Sequence, residues 1–191
     1  VDVLDSTDVL VADNSITESL RESVVGIRVE SLSFAEKNVT ITDNHLNGVG
    51  PTGIAVFETG SVVVRGNVVE NVTGHTGGST PVAGIRAASN AENTTVVNNT
   101  VENVSGVGLD ISAAATTVDG GTVDQTASHG VVIGTGAGSP AVGEVVRNLT
   151  VRAANGSGVF VRDSANVSLE NVTVRDTTTA PITSRRSSIV T

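Results

Sequence analysis

Apolar residues along this chain recur at alternate positions in runs of three to five, and small or polar residues break the runs at short intervals. Val62 and Val64, then Val69, then Ile85 and Ala87 read as the inward residues of three successive strands, because period-2 alternation is the mark of a strand with one buried face. Asn, Asp, Gly, Ser and Thr between the runs supply turn chemistry. The order predicted for each unit is strand, bend, strand, turn, strand, turn, and long helices are not expected.

The unit repeats. Val64-Arg65-Gly66-Asn67-Val68-Val69-Glu70-Asn71 aligns with Val96-Val97-Asn98-Asn99-Thr100-Val101-Glu102-Asn103, and the frame extends to Asn14 and Asn44 and, with substitutions, to Gly121, Leu149 and Val172. These seven marker positions lie 22 to 32 residues apart, so the basic coil is about 22 residues. A second landmark keeps the same phase: Gly26-Ile27, Gly53-Ile54, Gly84-Ile85, Gly108-Leu109, Gly130-Val131, Gly158-Val159 and Pro181-Ile182 open the third strand. Glycine there is expected to serve a tight turn. The pattern predicts an all-β, right-handed parallel β-helix solenoid of about seven coils with three parallel sheets, a single domain over residues 1–191. Val1-Asp2-Val3 fits a third strand and Ile189-Val190-Thr191 fits Asn38-Val39-Thr40. Both ends are therefore expected to cut through the solenoid, making the chain a segment of a longer one or a unit that stacks end to end.

The stretch from Asn38 to Val56, Asn-Val-Thr-Ile-x-Asp-Asn-x-Leu followed by Gly-Ile-x-Val, resembles the parallel β-helix repeat of the pectin-lyase-like superfamily. It is most similar to the repeats of NosD-like and haloarchaeal surface proteins. The resemblance implies that Asn14, Asn44, Asn67 and Asn99 form an internal asparagine ladder along the axis. It carries no catalytic residue onto this sequence, since neither the Lys/Arg and stacked Asp of pectate lyases nor the paired Asp of polygalacturonases is present.

Charge narrows the partners. Twenty acidic residues oppose 11 basic ones, giving a formal net charge of −9, and Lys37 is the only lysine. A nucleic-acid partner is disfavoured, because phosphate contacts need a basic face. Acid-rich, Lys-poor sequence resembles secreted proteins of salt-loving archaea, whose carboxylates keep the surface hydrated, and points to an extracellular or cell-surface location. There is no Cys, and no apolar run long enough to span a membrane.

Stacking the coils exposes candidate chemistry. Three positions past the marker lie Asn47, Glu70, Glu102, Asp124, Arg152 and Arg175, so Glu70, Glu102 and Asp124 are expected in a row at about 5 Å spacing. Such a row is a solvated acidic stripe, or else a Ca²⁺ site or an acid and base pair for glycoside cleavage. Beside it run Thr100, Thr122, Thr150 and Thr173, and the 74–81 loop carrying His75 leaves the same edge. His45, His75 and His129 do not converge, so no zinc site or serine triad is assembled. Arg86 and Asp110 should pair on the third sheet as a surface ion pair worth little. Nine of the 15 asparagines, Asn38, Asn71, Asn93, Asn98, Asn103, Asn148, Asn155, Asn166 and Asn171, open Asn-x-Ser/Thr sequons and are candidates for N-glycosylation. These features favour a structural or adhesive solenoid of a cell-surface glycoprotein that meets itself, flanking coils or a polysaccharide. The alternative is a carbohydrate-active enzyme, a polysaccharide lyase or glycoside hydrolase, or a binding module, built on the acidic row.

Overall fold

The computed structural model describes residues 1–17, 25–31, 36–74, 81–88, 90–134 and 141–190. They form a parallel β-helix without any helix, about seven coils long. The first sheet stacks eight strands: Leu10–Ala12, Glu36–Thr42, Gly60–Arg65, Thr95–Val97, Thr117–Asp119, Val145–Arg147, Val167–Glu170 and Ile189–Val190. The second stacks seven, Ser15–Thr17, His45–Asn47, Val68–Val72, Thr100–Val104, Thr122–Thr126, Thr150–Ala154 and Thr173–Arg175. The third stacks eight, Asp2–Leu4, Ile27–Glu30, Thr52–Phe57, Ala83–Ala87, Val107–Ile111, Val131–Ile133, Val159–Arg162 and Ile182–Arg185. A short parallel pair, Ala141–Val142 with Ser164–Ala165, lies outside them.

Register follows the repeat. Val64 pairs with Val96, Val69 with Val101 and Ile85 with Leu109, and all six are buried. β-Branched side chains dominate the core because each must sit on a pleated surface one coil above its equivalent, where a stiff χ1 packs well and large rings do not fit. One end departs from the expected register: Ile189 pairs with Val167, which puts Ile189 rather than Val190 in the inward column, and Val190 is exposed. A slip of one residue flips every side chain to the other face.

Corners are made by left-handed residues stacked in columns. Asp13, Asp43, Gly66, Asn98, Gly120, Asn148 and Asn171 precede the markers with φ between +50° and +73°. Asn71 and Asn103, with φ of +55° and +51°, bend the second strand, and Asn38, Asn93 and Asn166 open the first. Asn and Asp tolerate this region because their short polar side chains bond locally. Eight of the nine sequon asparagines, all but Asn155, occupy such corners. The Ser or Thr two residues on is in most cases the strand's outward residue, so folding alone spells these sequons.

The third-strand glycines do not have positive φ. Their role differs from the tight turn expected: a Cβ on Gly53 would lie 2.6 Å from the Gly84 carbonyl oxygen, and one on Gly84 2.8 Å from that of Gly108. Each also backs onto an inward valine, Val69 or Val101. Close approach of neighbouring coils excludes any side chain.

Candidate functional site

The markers form the ladder in the tube's interior. Asn14 Nδ2 donates to Asn44 Oδ1 (2.8 Å), Asn44 Nδ2 to Asn67 Oδ1 (2.9 Å) and Asn67 Nδ2 to Asn99 Oδ1 (3.0 Å). Each amide also donates to backbone carbonyls, Asn67 to those of Ile41 and Arg65 and Asn99 to those of Val64 and Val97. Satisfied in this way, buried amides are structural. Where the marker becomes Leu149, the corner is apolar and buried.

On the outer side of the second sheet the acidic row is in register, Glu70 opposite Glu102 and Glu102 opposite Asp124. Its two ends are already compensated. Glu70 Oε1 lies 2.8 Å from both His45 Nε2 and Asn47 Nδ2, and Asp124 Oδ2 accepts from Arg152 at 2.7 Å. Glu102 has no such partner among the described residues, which also contain no group of three or more His, Asp or Glu side chains able to hold a metal ion. His75 lies outside the described residues. Like charges in register repel by a few tenths to about 1 kcal/mol, so Glu102→Gln is expected to raise stability by about 0.5 kcal/mol in low-salt buffer, an effect that fades in high salt. Equal denaturation midpoints at low salt would show that solvent already screens the row.

A second cluster occupies the outer side of the third sheet. Arg28, Ala55, Arg86, Asp110, Val132 and Phe160 follow one another down one outward column. Unlike the acidic row, this column is partly enclosed: Ala55 is 0%, Val132 4% and Asp110 8% exposed. The Phe57 ring receives guanidinium groups from both sides, Arg28 at 5.6 Å and Arg86 at 5.4 Å from its centroid. Cation–π contacts of this kind are worth about 0.5–2 kcal/mol, more when water is excluded. Arg86 Nε stands 3.3 Å from Asp110 Oδ2 but off the hydrogen-bonding line, and the Nε atoms of Arg28, Arg86 and Arg162 are buried without a hydrogen-bond partner among the described residues. Arg28 also pairs with Glu30.

Two titratable groups are perturbed here. Burial pushes the Asp110 carboxyl above its usual range, against the opposing pull of Arg86, the Ser112 hydroxyl and Arg162. His129 is held below the ordinary imidazole value by burial and then by Arg162. Its Nδ1 accepts from the Ser157 backbone N–H (2.9 Å), so the neutral ring carries its proton on Nε2, and the ring stacks on Phe160 with centroids 4.7 Å apart. Arg86 and Asp110 pair as expected, but not as a surface pair: Asp110 is buried. Sequence reasoning missed Arg162, His129, Phe57 and Phe160 as members, since they come from several coils. Their one shared signal was the third-sheet register.

The family model for the right-handed β-helix region matches residues 1–145. The chain belongs to that family. A search of curated proteins found no matching relative. Among solved structures, a double mutant of the periplasmic alginate epimerase AlgG superposes with a TM-score of 0.71 at 15% identity, covering 95% of this chain and 38% of that one. The A-module of the mannuronan C-5 epimerase AlgE4 from Azotobacter vinelandii gives 0.58 at 17% identity, covering 84% of this chain and 42% of that one. The periplasmic alginate epimerase AlgG itself gives 0.57 at 13%, with 87% and 48% covered. At these identities the likeness concerns the fold, and this β-helix chain spans less than half of each of those proteins. Among the described residues no helix is long and apolar enough to cross a membrane.

Proposed function

We propose that this β-helix is a polysaccharide-binding domain of an extracellular or cell-surface protein, and that the glycan lies on the outer side of the third sheet. The observation that carries the reading is the enclosed Asp110 between Arg86 and Arg162, flanked by the Phe57 and Phe160 rings. The partly exposed Arg28 and Arg86 side chains offer guanidinium donors to polar groups of a ligand, and an aromatic ring offers a sugar its apolar face. The stacked coils repeat at about 4.8 Å, so one chain molecule presents several recognition positions along a line, as an extended polymer requires. The fold neighbours named as acting on alginate and mannuronan lend support. The acid-rich, Lys-poor composition supports a salty exterior as the working environment.

Binding is measured by calorimetry against a panel of neutral and charged polysaccharides. Arg86→Ala is expected to weaken the best ligand at least about tenfold, the loss of one desolvated charged contact, while Glu102→Gln leaves it unchanged. Retained affinity in Arg86→Ala, or no binding anywhere in the panel, sinks the reading. A second reading, enzymatic turnover, is favoured by the opposed shifts of Asp110 and His129 in the field of the same Arg162. In that case the wild-type chain alters the bound glycan, as seen by NMR of the polymer, and Asp110→Asn binds without altering it.

A further inference from the structure

Glu144 is 0% exposed, and both of its carboxyl oxygens are without a hydrogen-bond partner from another residue among those described. It follows Gly143, whose φ of +79° turns the chain into the first sheet, and alternation with the buried Val146 aims its side chain into the tube. The equivalent position holds Val39, Val62, Thr94 and Thr116 in preceding coils and Val167 in the next. The two threonines in that column satisfy themselves, Thr94 Oγ1 donating to the Ala91 carbonyl (2.7 Å) and Thr116 Oγ1 to that of Ala113 (3.1 Å). Glu144 has no equivalent. The charged groups on the strands packed against it face outward: Arg147 pairs with Asp119, and Glu170 is exposed. At the neighbouring corner Asp163 pairs with Arg186.

We infer that Glu144 carries its proton in the folded solenoid and makes the 141–147 segment a proton-sensitive joint, closed while the carboxyl is neutral and loosened when it ionises. A bare carboxylate inside the tube is far more costly than a neutral carboxylic acid, which costs only what any buried polar group does. Burial correspondingly pushes Glu144 above the usual carboxylate range, against the weaker opposing pull of its own backbone N–H. A carboxyl whose folded value is raised adds no penalty in acid, where both folded and unfolded chains are protonated. The penalty grows as pH climbs above the unfolded value and levels off beyond the folded one. Release of the ion requires breaking the bonds that hold the joint, Val145 N–H to the Thr116 carbonyl (3.0 Å) and Ser168 N–H to the Glu144 carbonyl (2.8 Å). The coils beyond would then pack on a loosened neighbour.

Hydrogen exchange on the intact chain, corrected for intrinsic rates, tests this between about pH 4 and pH 8, the span over which a raised Glu titrates. The opening constant at Val145 and Ser168 is expected to rise roughly tenfold per pH unit above the ordinary carboxylate value until Glu144 ionises, and Glu144→Gln to abolish that rise. A rise that persists in Glu144→Gln overturns the inference. So does a ¹³C-carboxyl titration of the parent protein that places Glu144 in the ordinary range, a measurement that decides the matter even if the variant fails to fold.

Discussion

Asn67→Ala is expected to cost the solenoid about 3–5 kcal/mol, among the largest losses any single polar side chain here can produce. Asn67 is fully buried and its amide takes part in five side-chain hydrogen bonds: it donates to Ile41, Arg65 and Asn99 and accepts from the backbone and side-chain amides of Asn44. Not all five are lost equally. Asn99 Oδ1 keeps the Asn67 backbone N–H at 2.9 Å, and the Arg65 carbonyl keeps that of Asp43 at 3.1 Å. The Asn44 backbone N–H keeps nothing, and an orphaned buried donor alone costs about 1–3 kcal/mol. A cavity the size of a carboxamide is added to that. Asn14→Ala provides the contrast, because Asn14 is exposed and water can replace its bonds; there the loss should stay near or below 1 kcal/mol. Chemical denaturation with unchanged m-values measures both. Equal, small losses at the two positions would mean that water reaches the corner and that the ladder is incidental to stability.

The ladder and the coil register were legible in the sequence for a physical reason. Stacked coils give equivalent residues the same surroundings, so Asn44, Asn67 and Asn99 answer one demand three times and the repeat shows through. The outer side of the third sheet is under no such demand. Arg28, Ala55, Arg86, Asp110, Val132 and Phe160 occupy one column with no repeat among them, and Phe57 lies 103 residues from Phe160 in sequence while sharing the same face. Register places each of these residues, but only the folded side chains reveal that Asp110 is enclosed and that Arg162 faces both it and His129. Glu144 is an intermediate case. Counting back two residues from Val146 puts it inside, yet a lone carboxylate in an apolar column is what pattern reading discards. The register of the acidic row and the Arg152 that meets its Asp124 end followed from the repeat; the contact of His45 with Glu70 did not, because it runs diagonally, from a column that straight alignment treats as separate.

Gly108→Ala is expected to destabilise by about 3 kcal/mol, at the upper end for overpacking a dense interior. The added methyl would meet Val123 Cγ1 within the tube and stand 2.6 Å from the Gly130 carbonyl oxygen of the next coil. Neither neighbour can yield alone. Val123 is 0% exposed and β-branched, with one preferred rotamer, and Gly130 O accepts the Leu109 N–H at 2.9 Å in the sheet ladder. Relief requires the two coils to part, which stretches that bond and the one from Gly108 N–H to the His129 carbonyl, already 3.2 Å long. Gly143→Ala separates this cause from backbone conformation. Its φ is +79°, yet nothing lies within 4 Å of the new methyl, so only the left-handed strain of about 1 kcal/mol applies. Denaturation midpoints should therefore fall much further for Gly108→Ala than for Gly143→Ala, and hydrogen exchange should quicken in the strands on both sides of Gly108. The opposite order would restore the tight turn, rather than the close approach of neighbouring coils, as the reason glycine opens the third strand.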